Sequence, residues 1–225
     1  MKITLYHLQN SRSQRIVWLL EELGCDYTVV DGADLGAPDL PDNVLPLKFP
    51  TIHISDIKGS LYLTETSAIC DFLSNKFQAL LPYKAKEKDL ADFYFWKNYA
   101  DASLMQSLVL KQVFKQIVVN TPLPFKPVPW LFKHSFDRLY LNKAIAQQLD
   151  RVNAHLRTNA WMCAGQFTIA DILMWFPLEA SMVNQEPRNY PYITTYLAQV
   201  RGSPGFKKAL VNGNWSADLF KKYWA

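Results

Sequence analysis

The sequence has no long hydrophobic run, no paired cysteines and no recognisable metal or nucleotide motif. No stretch reaches the roughly 18 uninterrupted apolar residues of a membrane-spanning helix. The three cysteines, Cys25, Cys70 and Cys163, are odd in number and form no Cys-x-x-Cys motif, which disfavours a disulfide framework and a dithiol redox centre. The four histidines lack metal-ligand spacing and no glycine-rich phosphate loop occurs. We therefore expect no membrane segment, no metal and no nucleotide.

The N-terminal residues also lack a signal-peptide pattern. Residues 1–7 contain neither an apolar h-region nor a small-residue cleavage site, and they alternate between apolar and polar side chains as a strand does. We therefore expect a cytoplasmic protein.

The net charge of +4 hides an asymmetry along the chain. Residues 1–78 contain 6 Lys or Arg against 10 Asp or Glu, whereas the remainder contains 18 against 10. A change of sign near residue 80 indicates a domain boundary. The basic residues are dispersed through helical patterns and form no block, so we expect no nucleic-acid partner.

The first 78 residues have the pattern of a small mixed α/β domain. Ile3 and Leu5 alternate with polar neighbours as in a strand. Apolar residues at positions 16, 19, 20 and 23 lie on one face of a predicted helix, and Gly24 ends that helix. Further strands are predicted at residues 27–30, 51–55 and 61–63, and a second helix at 66–77. A loop rich in Asp, Gly and Pro at 31–47 completes a β-α-β-loop-β-β-α order.

Beyond a linker at residues 79–85, the chain is predicted to be helical from residue 86 to residue 225. Apolar positions 141, 145, 149, 152 and 156 mark one helix face, and positions 169, 172, 173 and 176 mark another. Four prolines from Pro122 to Pro129 must interrupt the surrounding helices, because proline has no N–H to donate. Thr168 and Asp171 can form a reciprocal capping box.

Two short segments have the features of a peptide-binding site. Pro50 opens a strand, where it removes one ladder donor and, with a cis peptide bond, turns the preceding backbone outward to pair with an extended ligand. Glu65 and Thr66 begin the helix at 66–77, where a hydroxyl can cap the helix and free N–H groups can receive a carboxylate. One segment can bind a peptide backbone and the other can bind its charged end.

These segments resemble the glutathione transferase family. The resemblance rests on Lys-Phe-Pro-Thr-Ile at residues 48–52, on residues 63–69, on Ser-Arg-Ser-Gln-Arg at 11–15 and on Phe-Thr-Ile-Ala-Asp at 167–171. Thr66 stands where the family usually has serine, and a glycine that many relatives carry between Leu47 and Lys48 is missing. The resemblance implies an α/β plus all-α fold, with an N-terminal thioredoxin-like domain at 1–78 and a C-terminal helical bundle at 86–225.

The resemblance also implies an activity. It predicts an enzyme that ionises the thiol of glutathione, its co-substrate, and conjugates the thiolate to an electrophilic apolar compound. A glutathione-dependent peroxidase activity could use the same thiolate. The alternative is a non-catalytic binding or regulatory protein of the same fold, because fold alone does not establish function. We expect a homodimer without a nucleic-acid or membrane partner.

The family motif assigns roles to residues of this chain. Ser11 follows the first strand, precedes a helix and stands where serine-type members keep the hydroxyl that activates the thiol. Glu65 would accept from the α-ammonium of the γ-glutamyl group, and Thr66 would donate to its carboxylate. The implied glutathione-binding residues are Lys48, Phe49, Pro50, Glu65 and Thr66.

Alternatives remain open at two places in the site. The residue that contacts the thiol could also be Ser13, Tyr6 or Asn10, each of which has a side chain that can donate a hydrogen bond. For the acceptor pocket, we expect apolar side chains that follow the linker. The candidates are Tyr94, Tyr99 and Met105.

Overall fold

The N-terminal part of the chain forms a four-stranded sheet with two helices packed on it. The computed structural model describes residues 1–32, 48–57, 59–83, 85–185 and 189–225. Its first elements are β1 (Lys2–His7), α1 (Gln14–Glu22), β2 (Tyr27–Asp31), β3 (Thr51–Asp56), β4 (Gly59–Thr64) and α2 (Thr66–Phe77). This order of strands and helices is the predicted one. Most of the loop predicted at 31–47, including the residues just before Lys48, lies outside the described residues.

The strand order β2-β1-β3-β4 determines which loops meet. β1 runs parallel to β2 and antiparallel to β3, and β3 forms a hairpin with β4. The register pairs Tyr6 with Thr51, and Thr51 with Thr64. The ends of β1 and β4 and the start of β3 therefore lie at one end of the sheet. That end gathers the β1–α1 loop, the segment before β3 and the start of α2.

The rest of the described chain is mainly helical, as predicted. Two π-helical turns in this part, Ala100–Met105 and Asp137–Leu141, each join two successive α-helices. The helices are α3 (Glu87–Tyr99), α4 (Gln106–Asn120), α5 (Pro127–Phe136), α6 (Asn142–Leu156), α7 (Ile169–Met182), α8 (Pro191–Gly202), α9 (Pro204–Asn212) and α10 (Ala217–Trp224). None of the helices within the described ranges is both long and apolar enough to cross a membrane.

Prolines mark several of these helix boundaries. α4 ends at Asn120, just before the proline-rich stretch, and α5 begins with Pro127. Pro191 and Pro204 begin α8 and α9. The first turn of a helix tolerates proline because its N–H groups have no partner within the helix.

Pro177 is an exception, because it lies inside α7. It cannot donate to the carbonyl of Leu173, four residues earlier. Arg15 of α1 compensates, since its Nη1 donates to that carbonyl at 3.0 Å and to Asp101 at 3.0 Å. The buried guanidinium thus links α1 to α7 and to the π-helical turn between α3 and α4.

An aromatic core continues this contact between the sheet and the helical region. Trp18 of α1 lies edge-on to Trp175 of α7 and Phe206 of α9, with ring centroids 6.0 and 5.0 Å apart. Edge-to-face pairs at such distances are favourable beyond their buried area. α1 therefore has a fixed position between the sheet and the helical region, and its N-terminus lies beside the strand ends described above.

Candidate functional site

The segment before β3 is held in a tight turn at the gathered end of the sheet. The Phe49–Pro50 peptide bond is cis. Thr51 Oγ1 donates to the carbonyl of Lys48 at 2.5 Å. The Phe49 ring packs on Gly32, where a Cβ would lie 2.7 Å from the ring, so a larger residue at 32 would displace it. The backbone of Phe49 is thereby positioned beside the end of β1, while the Lys48 side chain is exposed.

The start of α2 carries a carboxylate that its own chain does not use. Glu65 is exposed and has φ 70° and ψ 118°, a backbone conformation that side-chain-bearing residues rarely adopt. Its side chain does not cap α2. Among the described residues, neither the Glu65 carboxylate nor the hydroxyl of the buried Thr66 has a hydrogen-bond partner. Such positive-φ strain costs about 1 to 3 kcal/mol and clusters at functional sites.

The β1–α1 loop presents Ser11 at the N-terminus of α1. Ser11 is partly exposed, and its Oγ donates to the carbonyl of Leu8 at 2.7 Å. The Ser11 carbonyl accepts from the Gln14 N–H at 3.1 Å, which starts the first helical turn. The Ser11 hydroxyl therefore combines accessibility with the positive end of a helix dipole.

Ser13, one of the three alternatives, is fully buried. Its Oγ lies 2.7 Å from His7 Nδ1 and accepts from the Leu8 N–H at 3.0 Å. A hydroxyl enclosed in this way cannot reach a ligand without a rearrangement of the loop.

Tyr6 and Asn10 are also engaged elsewhere. Tyr6 points to the sheet face opposite His7, since side chains alternate along a strand. Burial and the neighbouring Tyr62 raise the pKa of Tyr6. Asn10 Oδ1 accepts from the Ser216 N–H at 2.7 Å, at the start of α10. Of the two serines, Ser11 has the more accessible hydroxyl.

A cleft beside this loop runs along α4. A cavity of about 700 Å³ is lined by Arg12, which follows Ser11, and by Met105, Val109 and Val113. A second cavity of about 380 Å³ shares Val109 and Val113 and extends to Trp224 of α10. The two cavities adjoin along α4, and most of the lining of the second is apolar.

The three predicted acceptor-pocket residues lie in different surroundings. Met105 lines the larger cavity. Tyr94 is exposed, with its ring centroid 5.6 Å from the Lys97 ammonium. Tyr99 is buried and packs against Trp96 at a centroid distance of 5.4 Å.

Sequence reasoning missed Val109, Val113 and Ile117 of this cleft. They recur at a spacing of four residues, which places them on one face of α4. This pattern was available in the sequence. It does not distinguish a cleft from a core, however, and the exposure of these side chains becomes visible only in the structure. As for metals, no cluster of three or more His, Cys, Asp or Glu occurs in the part of the chain that the structure describes.

Comparison with known proteins identifies the family of the chain. No family model matches the chain. Glutathione S-transferase 3 of Schizosaccharomyces pombe, however, is 34% identical over 215 residues, which cover 92% of this chain and 86% of that protein. The chain belongs to the glutathione S-transferase family. Glutathione S-transferase 1 of Saccharomyces cerevisiae is 25% identical, with 91% of this chain and 92% of that protein covered.

Solved structures of glutathione transferases share the whole fold. A glutathione S-transferase from Actinobacillus pleuropneumoniae is 27% identical with a TM-score of 0.71, covering 96% of this chain and 95% of that one. A glutathione transferase homologue from Lodderomyces elongisporus, solved with two glutathione molecules per subunit, is 17% identical with a TM-score of 0.72, covering 94% and 98%. The second likeness concerns the fold alone. The α/β plus all-α architecture predicted from the sequence is therefore that of the glutathione S-transferase family.

Proposed function

We propose that this protein binds glutathione at the gathered end of the sheet, ionises its thiol with the help of Ser11 and conjugates the thiolate to an electrophilic apolar compound. Glutathione is the co-substrate. The observation that carries the proposal is the accessible Ser11 hydroxyl at the N-terminus of α1, beside the Phe49–Pro50 turn and the free carboxylate of Glu65.

Glutathione recognition would use both ends of the tripeptide. The exposed Glu65 carboxylate would accept from the α-ammonium of the γ-glutamyl group, and the Thr66 hydroxyl would donate to the adjacent carboxylate. The Phe49 backbone beside Pro50 would pair with the cysteinyl unit in the manner of an added strand. The exposed Lys48 would neutralise the glycine carboxylate. The charged groups at both ends of glutathione and the backbone of its cysteinyl unit would then each have a partner in this site.

Thiol activation needs the help of more than one group. A thiol with an ordinary pKa near 8.5 is only slightly ionised at neutral pH, and lowering the pKa by about 2 units requires about 2.7 kcal/mol of selective stabilisation of the anion. A helix N-terminus supplies about 0.3 to 2 kcal/mol. A hydrogen bond to a charged group supplies about 1.5 to 3 kcal/mol. Ser11 can combine both contributions.

The acceptor would bind in the cleft along α4. Met105, Val109 and Val113 offer apolar surface in a cavity that Arg12, the residue after Ser11, also lines. Trp224 extends this surface toward α10. An elongated apolar electrophile fits such a cleft, with its reactive carbon directed toward the thiolate.

We also propose the domain boundaries and a homodimer. α2 ends at residue 77 and α3 begins at residue 87, which supports a thioredoxin-like domain at 1–78, a linker at 79–85 and a helical domain at 86–225. Phe125, Trp130 and Phe132 expose more than half of their surface, and exposed apolar patches of this kind often mark interfaces. Light scattering that gives the mass of one chain at micromolar concentration would contradict the homodimer.

Substitution of Ser11 tests the proposed chemistry. Ser11→Ala should leave glutathione affinity within a few-fold and raise the pKa of the bound thiol by about 1 to 2 units, because the hydroxyl stabilises the thiolate more than the thiol. Turnover at neutral pH should fall and partly recover in alkaline buffer. The measurement is a pH titration of the ultraviolet absorbance of bound thiolate.

Ser60→Ala is the matched control, because Ser60 is exposed near the opposite end of β4. Superimposable titrations of the Ser11→Ala and parent proteins would show that the Ser11 hydroxyl only stabilises the loop before α1. Glutathione binding without any thiolate absorbance in the parent protein would instead favour the non-catalytic alternative.

A further inference from the structure

His7 connects the thiol site to the helical region through both of its ring nitrogens. It ends β1 on the same face as Ile3 and Leu5 and is only 1% exposed. Its Nε2 lies 3.0 Å from the carbonyl oxygen of Gly213, and its Nδ1 lies 2.7 Å from Ser13 Oγ. Burial lowers the pKa of His7, although Gly213 and nearby Asp31 act in the opposite direction. The ring is therefore neutral at neutral pH.

The Gly213 contact fixes the tautomer of this ring. A carbonyl oxygen can only accept, so the single ring proton of neutral His7 is on Nε2. Nδ1 then has a free lone pair and must accept from Ser13. The only proton of the Ser13 hydroxyl is thereby committed to His7.

This commitment determines how the two serines interact. Ser13 Oγ then accepts from the Leu8 N–H at 3.0 Å and can accept from Ser11 Oγ at 3.1 Å. The Leu8 carbonyl also lies 2.9 Å from Ser13 Oγ, but with the Ser13 proton on His7 that carbonyl accepts from Ser11 instead. Leu8 O, 2.7 Å from Ser11 Oγ, is also only an acceptor. The Ser11 proton therefore rests on the Leu8 carbonyl, and of the two serine protons it is the one that can turn from there toward a ligand.

We propose that His7 is a positioning residue for thiol activation. By accepting from Ser13, it holds the loop from Leu8 to Ser13 closed and leaves the Ser11 hydroxyl as the donor to the thiolate. The carbonyl of Gly213 selects the required tautomer. This inference rests on the proposed function, in which Ser11 contacts the sulfur.

Two further bonds tie the same loop to the same stretch of the helical region. Asn10 Oδ1 accepts from the Ser216 N–H at 2.7 Å, and Gln14 Nε2 donates to the Ala209 carbonyl at 2.5 Å. Asn10 directly precedes Ser11, and Gln14 directly follows Ser13. The end of α9 and the turn that follows it are therefore the support against which the loop is oriented.

Two variants of His7 separate its two contacts. In His7→Asn, the side-chain oxygen can take the place of Nδ1 and still accept from Ser13. In His7→Gln, the amide nitrogen can take the place of Nε2 and still donate to Gly213, but the acceptor for Ser13 is lost. In titrations of bound glutathione thiolate, we expect His7→Gln to raise the thiol pKa by about 1 unit and His7→Asn to stay close to the parent.

His155→Gln is the matched control. His155 Nε2 also lies 3.0 Å from a carbonyl, that of Met162, and burial also lowers the pKa of His155. This control should cost stability in urea denaturation without changing the thiol pKa. Ser13→Ala removes the same contact from the other partner, so it should reproduce the His7→Gln shift even if the His7 variant does not fold.

The decisive measurement repeats His7→Gln in a Ser11→Ala background. If His7 acts through Ser11, its substitution should no longer shift the thiol pKa there. A shift of undiminished size in that background, or no shift with an intact Ser11, would overturn the role of His7 and leave the role of Ser11 standing. If Ser11→Ala alone leaves the thiol pKa unchanged, the Ser11 assignment fails, and the inference about His7 fails with it.

Discussion

Two helix starts in this protein combine a hydroxyl with a carboxylate, yet their surroundings are opposite. At the start of α7, Thr168 and Asp171 form a closed capping box. At the start of α2, Glu65 and Thr66 present the same chemical groups without any partner within the described residues. The difference distinguishes a helix start that is complete within the fold from one that is available to a ligand.

The α7 start satisfies its polar groups internally. Asp171 is fully buried, and its two oxygens accept from the N–H groups of Met162 and Thr168, both at 2.9 Å, and from the Tyr196 hydroxyl at 3.2 Å. Burial raises the pKa of Asp171 to about 6, even though these hydrogen bonds lower it. The carboxylate is thus mostly ionised at neutral pH and fully engaged.

The carboxylate at the start of α2 is neither buried nor hydrogen-bonded within the described residues. Glu65 is exposed, and its φ of 70° is a conformation that glycine adopts more readily. A carboxylate that stabilises its own fold needs internal donors, and Glu65 has none in the described residues. We infer that the strain at Glu65 is tolerated because this geometry directs the carboxylate toward a ligand.

The largest expected effect is a loss of stability when the capping box of α7 is broken. Asp171→Ala should lower the free energy of unfolding by about 3 kcal/mol, because it leaves two buried N–H groups and the Tyr196 hydroxyl without their acceptor. Glutathione affinity of the folded variant should barely change. Urea denaturation and calorimetric titration measure the two quantities.

Asp218→Ala is the control for this effect, because Asp218 is an exposed acidic residue in the first turn of α10. It should change stability by no more than about 0.5 kcal/mol. Equal small losses for both variants would mean that the capping box contributes no more than an ordinary surface carboxylate.

The second effect is on the open helix start and concerns binding. Glu65→Gln should weaken glutathione binding by about 2 kcal/mol, because it removes a charged hydrogen bond to the ligand's α-ammonium. The stability of the unliganded protein should stay the same. Glu87→Gln, at an exposed first-turn position of α3, is the matched control and should leave affinity unchanged. Unchanged affinity in the Glu65 variant would refute the assignment of the γ-glutamyl site.

The sequence predicted where α2 and α7 start, but it predicted the hydrogen bonds of the helix start only for α7. The Thr168–Asp171 capping box is a local pattern, and local patterns can be read from spacing alone. The order of the first strands and helices was also predictable, because periodicity and turn residues are local signals.

The contacts of His7 and Pro177 could not be predicted in the same way. The Gly213 carbonyl lies 206 positions from His7 in sequence, and Arg15 reaches the carbonyl freed by Pro177 from 158 positions away. Such pairs depend on how the helical region packs on the sheet, which no single window of the sequence contains. A buried histidine at the end of β1 was nevertheless a signal, because position 7 continues the inward alternation of positions 3 and 5.

The smallest expected effect is on stability at Glu65, where one substitution separates backbone strain from ligand binding. Glu65→Gly should raise the free energy of unfolding by about 1 kcal/mol, because glycine adopts a positive φ without the steric cost that a Cβ imposes. The greater flexibility of glycine in the unfolded chain opposes this gain and limits its size. Glutathione binding should nevertheless be lost to the extent seen in Glu65→Gln. Glu65→Ala is the matched control: it also loses the carboxylate but keeps the Cβ, so it should weaken binding without gaining stability. If the glycine variant is no more stable than the alanine variant, the backbone at Glu65 is not strained, and the contrast between the two helix starts then rests on hydrogen bonding alone.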